Sequence, residues 1–154
     1  MPRDVPVPVA DRPQIAIQDQ QMQASKETST RQTRLAGHER AALSALVARL
    51  HQHYGNDLRR VVLFGSKARG DFDNESDLDV LVVVSMRSGE YRRYWNEIVD
   101  IACDVELEYN VVISPIIKEA AIYAKMRSQG LLLTRNIEQD GVSLWMTPPN
   151  ARSC

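Results

Sequence analysis

The sequence predicts a single α+β domain built around a small sheet, and three observations carry that expectation. Two β-branched, apolar segments, Arg60–Phe64 and Leu78–Val84, flank a short polar bridge. A segment with helical period precedes them over residues 37–54, and more helical segments follow. Helices before, between and after a few strands are the pattern of a layered domain with helices packed on a sheet. With 154 residues, the chain is long enough for one such domain with its own core.

Composition narrows the classes of function. The chain is 44% hydrophobic and 25% charged, an ordinary globular balance. Its 19 basic and 20 acidic residues leave a net charge of −1, which argues against bulk electrostatic binding of nucleic acid. Two cysteines, Cys103 and Cys154, form no disulfide framework and no Cys/His metal pattern, so a reducing cytoplasm is the expected setting. The N-terminal stretch lacks the apolar core of a signal peptide, and runs such as Val80–Val84 are too short to span a bilayer. No association with a membrane is expected.

Taken in order, residues 1–35 are rich in Pro, Gln, Ser and Thr and show no sustained apolar period, which predicts a disordered or loosely docked tail. Within it, "QIAIQ" is a candidate edge strand. The domain is expected over residues 36–147. Leu43, Leu46, Val47, Leu50 and Tyr54 recur at helical spacing, and Gly55 is the stop. The first strand, Arg60–Phe64, ends at Gly65, and a short helical turn is expected at Ser66–Arg69. In the second strand Leu78, Val80, Val82 and Val84 share one face while Asp79, Leu81 and Val83 share the other. Both faces are apolar beyond the aspartates, as in a strand covered on both sides. A helix is expected over residues 88–102. The alternation of "CDVELEYNVVIS" then predicts a third strand over Glu106–Ile113. Lys118–Gln129 reads as a helix, followed by another short helix and a last strand, Val142–Trp145.

The chemistry lies in the bridge between the first two strands. Side chains two apart in a strand point the same way, so Asp77 and Asp79 set two carboxylates side by side. Adjacent anions repel and are costly to bury unpaired. A divalent cation removes that cost, and Mg²⁺ commonly takes one or two carboxylates together with substrate phosphate. At the end of the preceding strand, Gly65 lets backbone approach a ligand closely. A helix starting at Ser66 would offer free N–H groups to an anion. Each motif alone also has an ordinary reading, as a turn or a solvated strand start. Together, flanking residues 67–76 between two apolar strands, they suggest a metal and triphosphate site. Lys67 is expected on the surface, Trp95 and Trp145 in the core, and Cys103 as a small buried hydrophobe.

"GSKARGDFDNESDLDVLVVV" resembles the signature of the DNA polymerase β-type nucleotidyltransferase superfamily, a Gly-Ser pair followed by Asp-x-Asp. More narrowly it resembles the minimal nucleotidyltransferases (MNT), and "EYNVVISPIIKE" and "NIEQDGVSLW" are similar to the C-terminal half of such proteins. The resemblance implies a polymerase β-like fold, a small mixed sheet with flanking helices. It implies transfer of a nucleoside monophosphate, AMP from ATP, to an acceptor hydroxyl. Asp77 and Asp79 would hold two Mg²⁺ ions, and Gly65 and Ser66 the β- and γ-phosphates. Arg69 would assist with phosphate or brace the loop through Asp71 or Asp73. The partner implied is a HEPN-type toxin protein, which the chain would modify or, as the alternative, simply bind as a catalytically weak antitoxin. Active members carry a third carboxylate on a following strand. Here Glu108, or else Glu106, is the candidate on the polar face of the predicted third strand.

Overall fold

In a computed structural model, residues 35–70 and 76–147 are described. The expected tail, the "QIAIQ" strand, and Asp71 and Asp73 lie outside the described residues, apart from Leu35. Among the described residues, five α-helices and four strands follow in the order α1 (Gly37–Tyr54), β1 (Leu58–Phe64), α2 (Ser66–Arg69), β2 (Leu78–Val84), α3 (Tyr91–Tyr109), β3 (Ile113–Glu119), α4 (Ala120–Ser128), α5 (Leu132–Asp140) and β4 (Val142–Met146).

The sheet runs β3-β2-β1-β4. β1 pairs antiparallel with β2 and β4, while β2 and β3 are parallel, so the sheet is mixed as expected. The two central strands read Leu-Arg-Arg-Val-Val-Leu-Phe and Leu-Asp-Val-Leu-Val-Val-Val, β-branched sequences that suit a sheet covered on both faces. Helices α1 and α3 cover one face. Ala42, Leu43, Leu46 and Leu50 of α1 and Tyr94, Ile98, Ala102 and Val105 of α3 close over Leu78, Val80, Val82 and Val84. The other face carries Val62, Leu81 and Val83 under Tyr123 of α4 and Ile137 of α5. Leu46 and Leu81 are fully enclosed, and truncation of such a side chain to alanine typically costs about 2–5 kcal/mol.

Cross-links tie α1 to α3. The Tyr54 hydroxyl donates to Glu97 Oε2 at 2.9 Å, and the Tyr54 and Tyr94 rings stack at 5.4 Å. His53, near the end of α1, also meets Glu97, at 3.2 Å. Burial, and then the Glu97 carboxylate that it bonds, push the Tyr54 phenol well above its ordinary range.

The third strand is not where the sequence places it. Residues 106–109 continue α3, which ends at Asn110 in the left-handed region, with φ 54°. β3 begins only at Ile113. "CDVELEYN" alternates, but Ile98, Ala102, Val105 and Tyr109 also fall on one face of a helix, and burial against α1 and the sheet decides in favour of the helix. Pro115 lies inside β3, which it can do because β3 is an edge strand. Three further expectations change. Lys67 is buried, Trp95 is 45% exposed, and Cys103 is exposed. Among the described residues no helix is long and apolar enough to cross a membrane.

Candidate functional site

β1 and β2 bring the two sequence motifs together. Their antiparallel register sets Phe64 opposite Asp79, so the Gly65-Ser66 corner leaves β1 beside the carboxylate that enters β2. The approach at Gly65 is close. Its φ is 76° and its ψ −157°, a combination open to glycine and strained for other residues. A Cβ there would overlap Asp79 Oδ2. Glycine is therefore favoured twice, by the backbone turn and by the neighbouring carboxylate, which would have to move aside for a side chain.

After Gly65 the chain makes one helical turn, α2. The Arg69 N–H donates to the Gly65 carbonyl at 3.1 Å and the Gly70 N–H to the Ser66 carbonyl at 2.9 Å. Gly70 closes the turn in the left-handed region, at φ 84°. Within so short a turn the leading N–H groups have no intrahelical acceptor. Ser66 is half-buried at the start of the turn and Arg69 is exposed at its end. Arg69 is close enough to Asp79 to act on its carboxyl electrostatically.

The two aspartates differ in setting. Asp77 is exposed just before β2, and Asp79 is half-buried inside it. Burial, and then the like charge of Asp77, push the Asp79 carboxyl above its ordinary value, while Arg69 draws it down. On the other side of β2 the parallel register sets Ser114 of β3 beside Asp79, and the Ser114 hydroxyl donates to Asp77 Oδ2 at 3.2 Å. The donor set of two carboxylates, one disfavoured by desolvation and by its neighbour, with a hydroxyl alongside, suits a hard divalent cation. Asp77 and Asp79 could hold one. Among the described residues no group of three or more His, Cys, Asp and Glu gathers at one point.

The two glutamates proposed to complete the acidic set are helical. Glu108 lies on the exposed side of α3 and forms an ion pair with Arg49 of α1. Its expected place on a strand beside the aspartates is therefore corrected. Glu106 accepts the Ile113 N–H at 2.7 Å and so caps the start of β3. The side chain that β3 does present to the aspartates is Ser114. Sequence reading missed it because the strand was placed several residues too early, although the "VVISPII" segment was the signal.

Among the described residues, one hollow borders this region and another lies apart from it. One of about 310 Å³ is lined by His38, Glu39, Ser76, Leu78 and residues 110–112, next to the start of β2. A larger, mostly apolar one of about 430 Å³ lies between α1 and β4, against Leu43, Val47, Leu144 and Trp145. It contains none of the motif residues, so its size does not make it the site of the chemistry.

The family model of the nucleotidyltransferase domain matches residues 43–142. The chain belongs to this family. The resemblance to minimal nucleotidyltransferases read from the motif is borne out at that level. This nucleotidyltransferase is also similar to two proteins of Methanocaldococcus jannaschii, each provisionally named a protein adenylyltransferase. One is 46% identical over 65 residues, which are 42% of this chain and 64% of that relative, less than two thirds of its length. The other is 29% identical over 107 residues, 70% of this chain and 98% of that relative. Among solved structures, it is similar to a toxin–antitoxin crystallised with AMP-PNP, with a TM-score of 0.46 and 18% identity over 70% of this chain and 77% of the other. A mutant of the toxin–antitoxin pair MntA-HpeT gives a TM-score of 0.45 and 17% identity over 68% and 74%.

Proposed function

We propose that this nucleotidyltransferase moves a nucleoside monophosphate, AMP from ATP, to a hydroxyl on a partner protein, in a reaction that depends on Mg²⁺. The observation that carries the proposal is the contact between its two motifs: Gly65 leaves no room for a Cβ beside Asp79 Oδ2. A backbone corner suited to phosphate and a pair of carboxylates suited to a divalent cation thus share one point on the sheet rim.

Asp77 and Asp79 would hold two Mg²⁺ ions, which when bound supply Lewis-acid stabilisation to the entering and leaving oxygens of an in-line displacement. The protein's own groups do the rest. Gly65 admits the triphosphate against the backbone, the Ser66 hydroxyl and the leading N–H groups of α2 donate to the β- and γ-phosphates, and Arg69 adds positive charge at the far end of the turn. The acceptor oxygen bonds to the α-phosphorus as its hydroxyl proton passes to solvent, the bond from that phosphorus to the bridging oxygen breaks, and pyrophosphate leaves.

A protein acceptor draws support from the provisional names of the two archaeal relatives. A HEPN-type toxin as that protein follows from the family resemblance of the "GSKARGD" and "SDLDVLV" segments.

A second reading is favoured by one observation. Ser114 stands on β3 beside Asp79, where a carboxylate could have joined the pair. A serine there makes a weak general base, so a chain that binds nucleotide and masks its partner with little transfer is the alternative. Incubation of the protein and its partner with ATP labelled at the α-phosphorus separates the two. Transfer of label to the partner, abolished by Asp79→Asn, supports the enzyme. Tight partner binding without label, unchanged by Asp77→Asn/Asp79→Asn, supports the binder. Neither label nor partner binding would defeat both.

A further inference from the structure

We infer that the buried Lys67–Glu39 ion pair positions the phosphate corner: it fixes the Gly65–Gly70 turn against α1 so that Ser66 and the turn's N–H groups meet a nucleotide in one orientation. The inference rests on the proposed nucleotide site and adds two residues to it.

Three features of the turn carry the argument. α2 has only four residues, too few to hold their conformation alone. It is joined to the rest of the fold by Gly65 and Gly70, both at positive φ, so both ends are permissive joints. Its orientation must then come from side chains. Ala68 is buried, and so is Lys67, whose side chain is 1% exposed and whose ammonium donates to Glu39 Oε1 at 2.8 Å. Glu39 belongs to the first turn of α1, whose apolar face is set deep in the core through Ala42, Leu43, Leu46 and Leu50. The pair therefore transmits the rigidity of the core to the corner.

Stability is a poor explanation for this pair. Lys67 and Glu39 are the only charged side chains among the buried described residues. Desolvating two charges offsets most of their attraction, and an apolar pair of similar volume is often as stable or more so. Glu39 Oε2 is also buried without a hydrogen-bond partner among the described residues, a further cost. What an apolar contact would not supply is direction. A charged hydrogen bond from the residue next to Ser66 sets the rotation of the turn, and rotation decides whether the Ser66 hydroxyl and the N–H groups converge.

The test is a Glu39→Leu/Lys67→Met double variant, with titration calorimetry of a non-hydrolysable ATP analogue in the presence of Mg²⁺ and urea unfolding of the same samples. The expected result is an unfolding midpoint equal to or above that of the wild type and roughly a tenfold or greater loss of nucleotide affinity. A double variant of unchanged stability that binds within about twofold of wild type overturns the inference and leaves the proposed function standing. No binding by the wild type overturns both. If the double variant does not fold, hydrogen exchange of Glu39→Gln decides. Faster exchange at the Arg69 and Gly70 amides, with the α1 core amides unchanged, supports the inference, and unchanged exchange at those two amides defeats it.

Discussion

Replacing Gly65 with alanine makes two demands on the structure, and they separate by magnitude. The backbone at this position has φ 76° and ψ −157°, and holding a side chain there costs about 1–3 kcal/mol. The new Cβ would also overlap Asp79 Oδ2, and would lie 3.2 Å from Asp79 Cγ and 3.4 Å from its Cβ. The overlapped oxygen is at the tip of a side chain that can rotate, so the clash is relieved by moving the carboxylate rather than by parting β1 from β2. Stability should therefore fall by the backbone cost, about 1–3 kcal/mol, read from urea unfolding followed by circular dichroism. In an Asp79→Ala background the same cost should recur, with a coupling in the double-mutant cycle below about 0.5 kcal/mol. Function should suffer from the displaced carboxylate, with Mg²⁺-dependent nucleotide affinity falling roughly ten- to a hundredfold. A Gly65→Ala protein as stable as wild type that binds nucleotide equally well would refute this reasoning.

Other outcomes follow from the same structure. Because burial and then Asp77 hold the Asp79 carboxyl above its ordinary value, the folded state binds the proton more tightly than the unfolded state. Stability should thus fall as pH rises through the interval between the two values. Asp79→Asn should raise the melting temperature of the metal-free protein at neutral pH and show no gain at pH 3, and an equal gain at both would contradict this. Burial pushes the Glu138 carboxyl up, but the Arg60 hydrogen bond and the charges of Arg60 and Arg127 prevail and hold it below its ordinary value. Its contribution, about 0.5 kcal/mol after allowance for solvent screening, is present above the unfolded value and lost as pH falls through the folded one. Urea midpoints of wild type and Glu138→Gln should thus differ at pH 7 and converge at pH 3. Glu108→Gln should leave label transfer within about twofold of wild type, since Glu108 is engaged with Arg49 on the outer side of α3. A collapse of transfer with intact folding would return Glu108 to the reaction.

Much of the fold was legible in the sequence because its signals are local. β2 is found over Leu78–Val84 as read, since five consecutive apolar residues, Val80–Val84, directly after an Asp-x-Asp admit little else. The turn at Ser66–Arg69 follows from glycines at both ends, and α1 ends before Gly55 as expected. The juxtaposition of Gly65 with Asp79 was readable as well, because a short polar bridge between two strands favours their pairing. Where local pattern fits both periods, reading failed. Residues 103–110 alternate like a strand, yet Val105 and Tyr109 also continue the buried helix face of Ile98 and Ala102 while Cys103 and Leu107 face outward, and only the neighbouring α1 and sheet decide. That error moved β3 and hid Ser114. Lys67 was misread for a different reason. Its partner Glu39 is 28 residues away in sequence, and no pattern local to "GSKARG" announces a buried lysine.

The most direct test of the central claim is calorimetric titration of the protein with a non-hydrolysable ATP analogue, in Mg²⁺ and in EDTA, alongside Asp77→Asn/Asp79→Asn. The account predicts saturable binding in Mg²⁺ that disappears in EDTA and in the double variant. Equal binding in EDTA, equal binding by the double variant, or no binding in any condition would contradict it.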